Sequence, residues 1–326
     1  MRVTLGIAVS LIVAAAGIFA FSHRDTDPLG PRQIPVTNMN LTSITQTSAG
    51  LLSAGELGHI LISTDQGKSW TRATLSHQRH ALITRLHFTD QNNGLAIGHE
   101  GWILRTTDGG NSWQEVAFNP GGEPLLSVNQ LPSGVWMAIG AFGQALVSSD
   151  DGRSWSEMPP PNGTDWHLNA LLPSEDHRTW LIVGEAGTVF RSTDSGQNWQ
   201  PIPEFYNGSF YGGFNLAGDV WVIYGMRGNI FRSEDNGATW ESVGGKLKAS
   251  LFAHRQLENG DLLLAGQGGV LLRSEDGGRS FNFLHKGGRM TVTDLARLDS
   301  GELLMSSDRG LLPALSLADL KTSKGA

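Results

Sequence analysis

No cysteine occurs among the 326 residues. That excludes disulfides, Cys-ligated zinc, a thiol nucleophile and a lipid-bearing N-terminal cysteine, and it leaves the redox compartment open. Charge is scarce as well. Asp, Glu, Lys and Arg make up 17% of the chain, the formal net charge is −7, and there is no run of Lys or Arg. A nucleic-acid role therefore has no electrostatic support. What the chain has in plenty is glycine, 42 copies, which suits many tight turns and few solvated helices.

The long apolar run is Val3 to Phe21, preceded by Arg2 and followed by the polar segment Ser22-His-Arg-Asp-Thr-Asp-Pro28. This pattern is that of a Sec-type export signal, with Ala20 and Ser22 as the small residues of a cut after Ser22. The run is also just long enough to span a bilayer once. Residues 1–22 are thus expected to be a signal sequence or an N-terminal anchor, and residues 23–33 a linker. Arg2 on one side and the acidic flank on the other place the remaining chain outside the cytoplasm, periplasmic or otherwise extracytoplasmic.

The rest is organised by one motif. Ser192-Thr-Asp194-Ser-Gly196-Gln-Asn-Trp199 has five relatives, and all six read S/T-x-D-x-G-x-x-W/F. Their aspartates are Asp65, Asp108, Asp150, Asp194, Asp235 and Asp276, at steps of 41 to 44 residues. Such a period, built from short apolar runs and glycine turns, is that of a β-propeller array. In the fourth repeat Leu168–Leu172 reads as an inner strand, Thr179–Val183 as a second strand buried on both faces, Thr188–Ser192 as a third, and Asn198–Ile202 as an outer strand. Four antiparallel strands in about forty residues make one blade. A G-x-x-G turn recurs between second and third strands (Gly55/Gly58 through Gly266/Gly269), where glycine at both ends fits a reversal needing positive φ.

A seventh unit, Thr291–Ala314, has no motif and no outer strand. The segment Gln33–Thr37 is placed to supply that strand and close the ring. The fold class expected is all-β, a seven-bladed β-propeller with six Asp-box repeats, with six blades as the alternative. It fills one domain, residues 34–320, with 321–326 as a tail.

The motif falls at the turn from third to outer strand. Its hydroxyl and carboxylate can bond turn amides, its glycine takes a conformation a side chain forbids, and its aromatic starts the outer strand. Six equivalent aspartates around a ring cannot converge on one substrate, and one carboxylate per copy is too few for calcium. The six are read as structural.

This motif is the Asp-box, or bacterial neuraminidase repeat. With the G-x-x-G turn before it, as in Gly184-Glu-Ala-Gly-Thr-Val-Phe-Arg-Ser-Thr-Asp-Ser-Gly-Gln-Asn-Trp199, the sequence resembles the photosystem II stability/assembly factor family. The resemblance covers Leu41 to Ala314. It implies a seven-bladed propeller that acts without catalysis, binding membrane-protein subunits during assembly. It does not imply photosynthesis, since related sequences occur in bacteria without a photosystem. Lipid-anchored relatives need a cysteine after the signal, and this chain has none.

Positions that recur in register are most simply structural, so residues off the repeat are the binding candidates. Of ten tryptophans, only Trp166 lies off the repeat, in a loop between outer and inner strands. That loop and the G-x-x-G turns share one face, where propellers commonly bind. The partner-binding residues expected there are Trp166, His167, Asn169, Tyr206, Asn207, Phe210, Tyr211, Arg79, His80, His99, Arg227, Arg289 and Arg309. Exposed Trp, Tyr and Arg anchor protein interfaces; the bland reading is that these aromatics plug the channel mouth. Arg105, Arg191, Arg232 and Arg273 recur just before the motif. They read as bonding turn carbonyls, with a basic stripe for an acidic partner as the alternative.

An enzyme is the weaker reading. A sialidase needs an arginine triad, a tyrosine nucleophile and acid and base carboxylates. No spacing selects such a set, although Arg79, Arg227, Arg289 and Arg309, with Glu185 and Tyr206 or Tyr211, could nominally form one. Glu100 with Glu185 is the best available carboxylate pair. His80, His99 and His167 come from separate loops without ligand spacing. The expectation is a non-catalytic extracytoplasmic propeller without cofactor or metal, binding protein, an accessory or assembly factor for a membrane-protein complex. The alternatives are a glycosidase- or sialidase-like hydrolase, or a carbohydrate-binding propeller.

Overall fold

The computed structural model describes residues 7, 12–17, 36, 38–245, 247–285 and 288–316. The chain divides into two compact units, Met1–Gln33 and Ile34–Ala326. In the first, the described residues are helical. Among the described residues no helix is long and apolar enough to cross a membrane. The expected cut site after Ser22, the linker and the tail lie outside the described residues.

The second unit is seven sheets. Their inner strands are Leu41–Thr47, Ile83–Phe88, Leu125–Gln130, Leu168–Pro173, Phe210–Asn215, Leu251–Gln256 and Val292–Arg297. Each pairs antiparallel with the next strand in sequence, so the blades follow chain order and seven is the correct count. The second strands, such as Trp180–Gly184 and Trp221–Gly225, are buried along their whole length. Their tryptophans fill the gaps between blades: Trp180 lies with Met137 and Ile139 of blade three, and Trp221 with Leu181 and Val183 of blade four.

Two details differ from expectation. The outer strand of blade four is only Gln200–Pro201, because Asp194 takes the Asn198 amide (2.9 Å) and side chain (2.7 Å) into the turn. In addition, Thr74–Leu75 leaves blade one and adds a fifth, parallel strand outside Ser112–Ala117 of blade two.

The G-x-x-G turns use their two glycines differently. The last is left-handed as expected, for example Gly187 at φ 73°. The first is extended, and positive φ is not the reason it is glycine. A Cβ on Gly184 would lie 2.2 Å from the His167 carbonyl oxygen, and one on Gly55 2.0 Å from that of Asn40. The inner strand is bulged at that point, between Leu168 and Ala170 in blade four, and its backbone fills the space a side chain would take.

Each Asp box is a closed hydrogen-bond circuit. In the fourth, Ser192 Oγ donates to Asp194 Oδ1 (2.7 Å) and accepts from the Gly196 amide (2.9 Å), while Asp194 Oδ1 also accepts from the Asn198 amide (2.9 Å). Asp194 Oδ2 takes the Asn198 side chain. The same position is Ser69, Ser112, Ser154, Thr239 or Ser280 in the other copies, always donating to the Asp. The motif is therefore S/T-x-D-x-G-x-[S/T/N]-W/F. Its glycine lies against the preceding blade: a Cβ on Gly110 would come within 2.4 Å of Leu52, and one on Gly196 within 2.7 Å of Leu131.

The ring closes by the same contact, Gly67 of blade one resting on Leu304 of blade seven. Asp294 of blade seven accepts from Ser43 Oγ (3.2 Å) and the Ile44 amide (3.0 Å). Blade seven has three described strands in its sheet. Of the segment Gln33–Thr37 expected to complete it, only Val36 is among the described residues, and its carbonyl accepts from the Leu311 amide at 3.1 Å.

Two predictions follow from the Asp boxes. Ser274, with no exposed surface, holds the Gly278 amide at 2.9 Å; Ser274→Ala strands that buried donor and should cost about 1–3 kcal/mol in a denaturant titration. Hydrogen bonds hold the Asp65 and Asp194 carboxyls down at about 2, against an ordinary 3.8. A carboxyl depressed by folding stabilises the fold above its unfolded value, and that contribution is lost as pH falls through the folded one. Thermal melts should therefore be flat in this respect above pH 3.8 and fall steeply toward pH 2.

Candidate functional site

The inner strand runs from the face of the G-x-x-G turns to the face of the Asp boxes, and the two faces present different surfaces. On the first, the turn of blade three is Ala141–Gly143, and its second residue is Phe142 at φ 50°. No L-residue with a large side chain favours that conformation, yet Phe142 is 62% exposed. The Gly143 amide donates to the Trp166 carbonyl at 3.0 Å, which fixes the neighbouring loop to this turn. Trp166 is 49% exposed. The His167 ring packs edge-on to Phe142 at 4.6 Å, and its Nε2 lies 3.9 Å from Glu185. A groove of about 310 Å³ runs from Asn162 and Trp166 past Ala186 to Glu204. Two exposed aromatic rings, an imidazole and an acidic rim thus stand together across blades three and four.

Phe142 is missing from the sequence expectation. A signal was available: the third position of the six G-x-x-G turns holds Leu57, Glu100, Phe142, Ala186, Arg227 and Gly268. This is the variable residue of an invariant turn, and the one whose side chain projects.

The Tyr206–Tyr211 loop behaves differently. Phe210 has no exposed surface and lies in the core between blades four and five, so its expected place at the partner surface is corrected. The cause is local. Phe210 begins the inner strand, where every blade buries an apolar residue. Tyr206 packs on Phe210 (5.3 Å) and Phe231 (5.2 Å), and its hydroxyl accepts from Asn229 at 3.0 Å. Burial raises its phenol pKa. The Asn169 side chain holds the Phe210 carbonyl at 2.7 Å, and Tyr211 packs on Phe252 at 4.9 Å. Asn207 and Arg227 are exposed. This loop plugs the blade junction.

The remaining expected residues lie on other blades, and among the described residues no hydrogen bond or ring contact joins them to the Trp166 cluster. Arg79 is bound bidentately to Glu115 (2.8 and 3.0 Å) and lies over the Phe118 ring. His80, Arg289 and Arg309 are exposed, and His99 is half-buried in the blade-two turn. Among the described residues no group of three or more His, Asp or Glu could hold a metal ion.

The four motif-adjacent arginines join blades. Arg105 Nε donates to the Asp151 carbonyl (2.8 Å), Arg191 to that of Asn236 (2.7 Å) and Arg232 to that of Gly277 (2.9 Å), each reaching the Asp box of the next blade. Blade seven has no Asp box, and Arg273 turns instead onto Asp261 and Glu275.

A cavity of about 700 Å³ forms the central channel. It is lined by the inner strands from their third or fourth residue onward and by the loop residues Ser174, Glu175, Leu216 and Ala217, and so opens on the Asp-box face. None of its lining residues was expected from sequence. His254 Nδ1 shares a hydrogen bond with Tyr224 Oη at 2.8 Å and stacks on Phe214 at 4.6 Å. Burial, with the positive charge of Arg85 adding to it, lowers His254 to about 3 and His87 to about 4, so both are neutral at physiological pH.

The family model of the photosynthesis system II assembly factor YCF48 matches residues 16–107 and 51–158. No curated protein matches the chain in sequence. A solved structure of YCF48 bound to D1 peptide aligns with a TM-score of 0.67 at 19% identity, over 90% of this chain and 96% of that one. YCF48 from Cyanidioschyzon merolae gives 0.67 at 16% identity, over 88% and 99%. The same fold occurs in a catalytically inactive virginiamycin B lyase from Staphylococcus aureus, at 0.67 and 13% identity over 86% and 96%. The protein is a seven-bladed Asp-box β-propeller. Within that class it is similar to photosystem II assembly factors, through the family model over residues 16–158 and through the fold of both YCF48 structures.

The plug role assigned to Phe210 has a measurable consequence. Phe210→Ala should destabilise the propeller by about 3–5 kcal/mol, as loss of a buried aromatic does, whereas Asn207→Ala should leave the denaturation midpoint unchanged.

Proposed function

We propose that this propeller is a non-catalytic, extracytoplasmic accessory or assembly factor that binds a subunit of a membrane-protein complex. The observation that carries the reading is the pair of exposed rings, Phe142 and Trp166, held together by the Gly143–Trp166 hydrogen bond. Solvent-facing aromatics are the side chains that anchor protein interfaces, and a few of them supply most of the binding energy. The groove beside Trp166, rimmed by Asp165 and Glu204, suits a segment with apolar and polar or basic side chains. The family resemblance points the same way, since one matching structure is of YCF48 with a bound peptide. Export rests on the apolar run Val3–Phe21 and its flanking charges.

Phe142 permits a test that separates binding from folding. A non-glycine residue in the left-handed region costs about 1–2 kcal/mol, so Phe142→Gly should melt no lower than the parent chain. The same change, alone or with Trp166→Ala, should weaken binding to the membrane-protein partner by about 2 kcal/mol, the scale of an interface anchor. Undiminished binding by the double variant would contradict the assigned face. Recovery of the full chain in the cytosolic fraction would contradict the assigned compartment.

A further inference from the structure

The inner strands carry a second repeat, and it breaks at one place. Third along each strand, five blades have a small residue: Ser43, Ser127, Ala170, Gly212 and Ala253. Blades two and seven have Arg85 and Asp294 instead. The residue that follows keeps one register in every blade: Leu86 lies opposite Ala96, Val128 opposite Ala138, Gly213 opposite Ile223 and His254 opposite Leu264.

An inner strand is a sheet edge, so alternate amides point away from their own sheet. Where the preceding blade offers an oxygen, the amide at this position takes it. Leu86 donates to Ser43 Oγ (3.3 Å), Leu171 to Ser127 Oγ (3.1 Å) and Ile44 to Asp294 Oδ2 (3.0 Å). For Val128, Gly213 and His254 the preceding blade presents Arg85, Ala170 and Gly212, whose side chains have no acceptor. Among the described residues these three amides of the channel lining have no side-chain acceptor, in a wall that gives one to their equivalents.

Arg85 adds a fourth and stronger donor group. Its guanidinium forms no hydrogen bond or ion pair among the described residues. It belongs to blade two, yet its charge acts on Tyr224 of blade five and His254 of blade six. Arg85 lines the channel together with His254 and Asp294. An unpaired cation with open amides around it, inside a half-enclosed cavity, is suited to an anion.

We propose that the central channel binds a carboxylate, gripped by the Arg85 guanidinium with the open inner-strand amides as further donors. The planar fork matches two carboxylate oxygens. Asp294 and Glu175 also line the cavity, against Arg85 and Arg255; this balance disfavours a dianion such as phosphate. The carboxylate is that of a small organic acid or of a peptide chain end, and the cavity of about 700 Å³ admits either. The site is distinct from the Phe142–Trp166 face and stands or falls separately from it.

The test is an amide-resolved NMR titration of the full chain with N-acetylglycine and, as its uncharged counterpart, N-acetylglycinamide. A short peptide with a free or an amidated C-terminus forms the second arm, and inorganic phosphate the third. The acid should move the Val128, Gly213 and His254 amides, and the amidated forms should not. Response to the free-ended peptide alone would support the site with a chain end as its source. Arg85→Gln should weaken the response about tenfold or more, and Arg85→Lys less, since the charge stays and the fork is lost. The proposal is overturned if acid and amide act equally, if phosphate binds more tightly, or if Arg85→Gln binds like the parent. The comparison of acid with amide needs no variant, so it decides the matter even if Arg85→Gln fails to fold.

Discussion

In each Asp box a serine or threonine hydroxyl, an aspartate and a glycine amide form a circuit that holds the glycine flat against an aliphatic side chain of the blade before it. The rest of the ring depends on that contact. It sets the approach of one blade to the next, and it is repeated from Gly67 on Leu304 to Gly278 on Val222. Tryptophans of the second strands fill the space behind it, and arginines of the third strands tie three of the boxes from the other side. Blade seven lacks a box. There the Asp294 carboxylate reaches the inner strand of blade one and takes over the joining role.

Because that scaffold repeats, whatever does not repeat is free to differ. On the turn face the freedom lies in one residue of each G-x-x-G turn and in the loops entering each inner strand. Blades three and four use it to expose Phe142 and Trp166. In the channel it lies at the third residue of the inner strand, where Arg85 interrupts a series of small residues and Asp294 closes the ring. The fold thus separates a symmetric frame from two places where the blades differ.

The architecture was legible in the sequence because its cause is local and periodic. A Ser/Thr, an Asp, a Gly and an aromatic at fixed spacing announce one turn, and six such turns announce a ring. The exposed Trp166 was legible for the complementary reason, as an aromatic outside the register. Other features depend on neighbours that the sequence does not order. Phe210 looked like part of an aromatic loop and is core, because it opens an inner strand whose first residue is buried in every blade. The first glycine of the G-x-x-G turn looked conformational and is steric, since what excludes a side chain is a carbonyl of the adjacent bulged strand. The Ser, Thr or Asn before the motif aromatic passed as variable because three residue types serve one donor role. Arg85 was hidden because only the pairing of all seven inner strands shows which residues face the axis.

The central claim is that the Phe142–Trp166 face meets the partner, and site-specific photocrosslinking in intact cells tests it most directly. A benzophenone side chain replacing Phe142 should give an adduct with an integral membrane protein, and the same group at Ser195, in the Asp box of blade four, should not. Adducts from position 195 with none from position 142 would contradict the account.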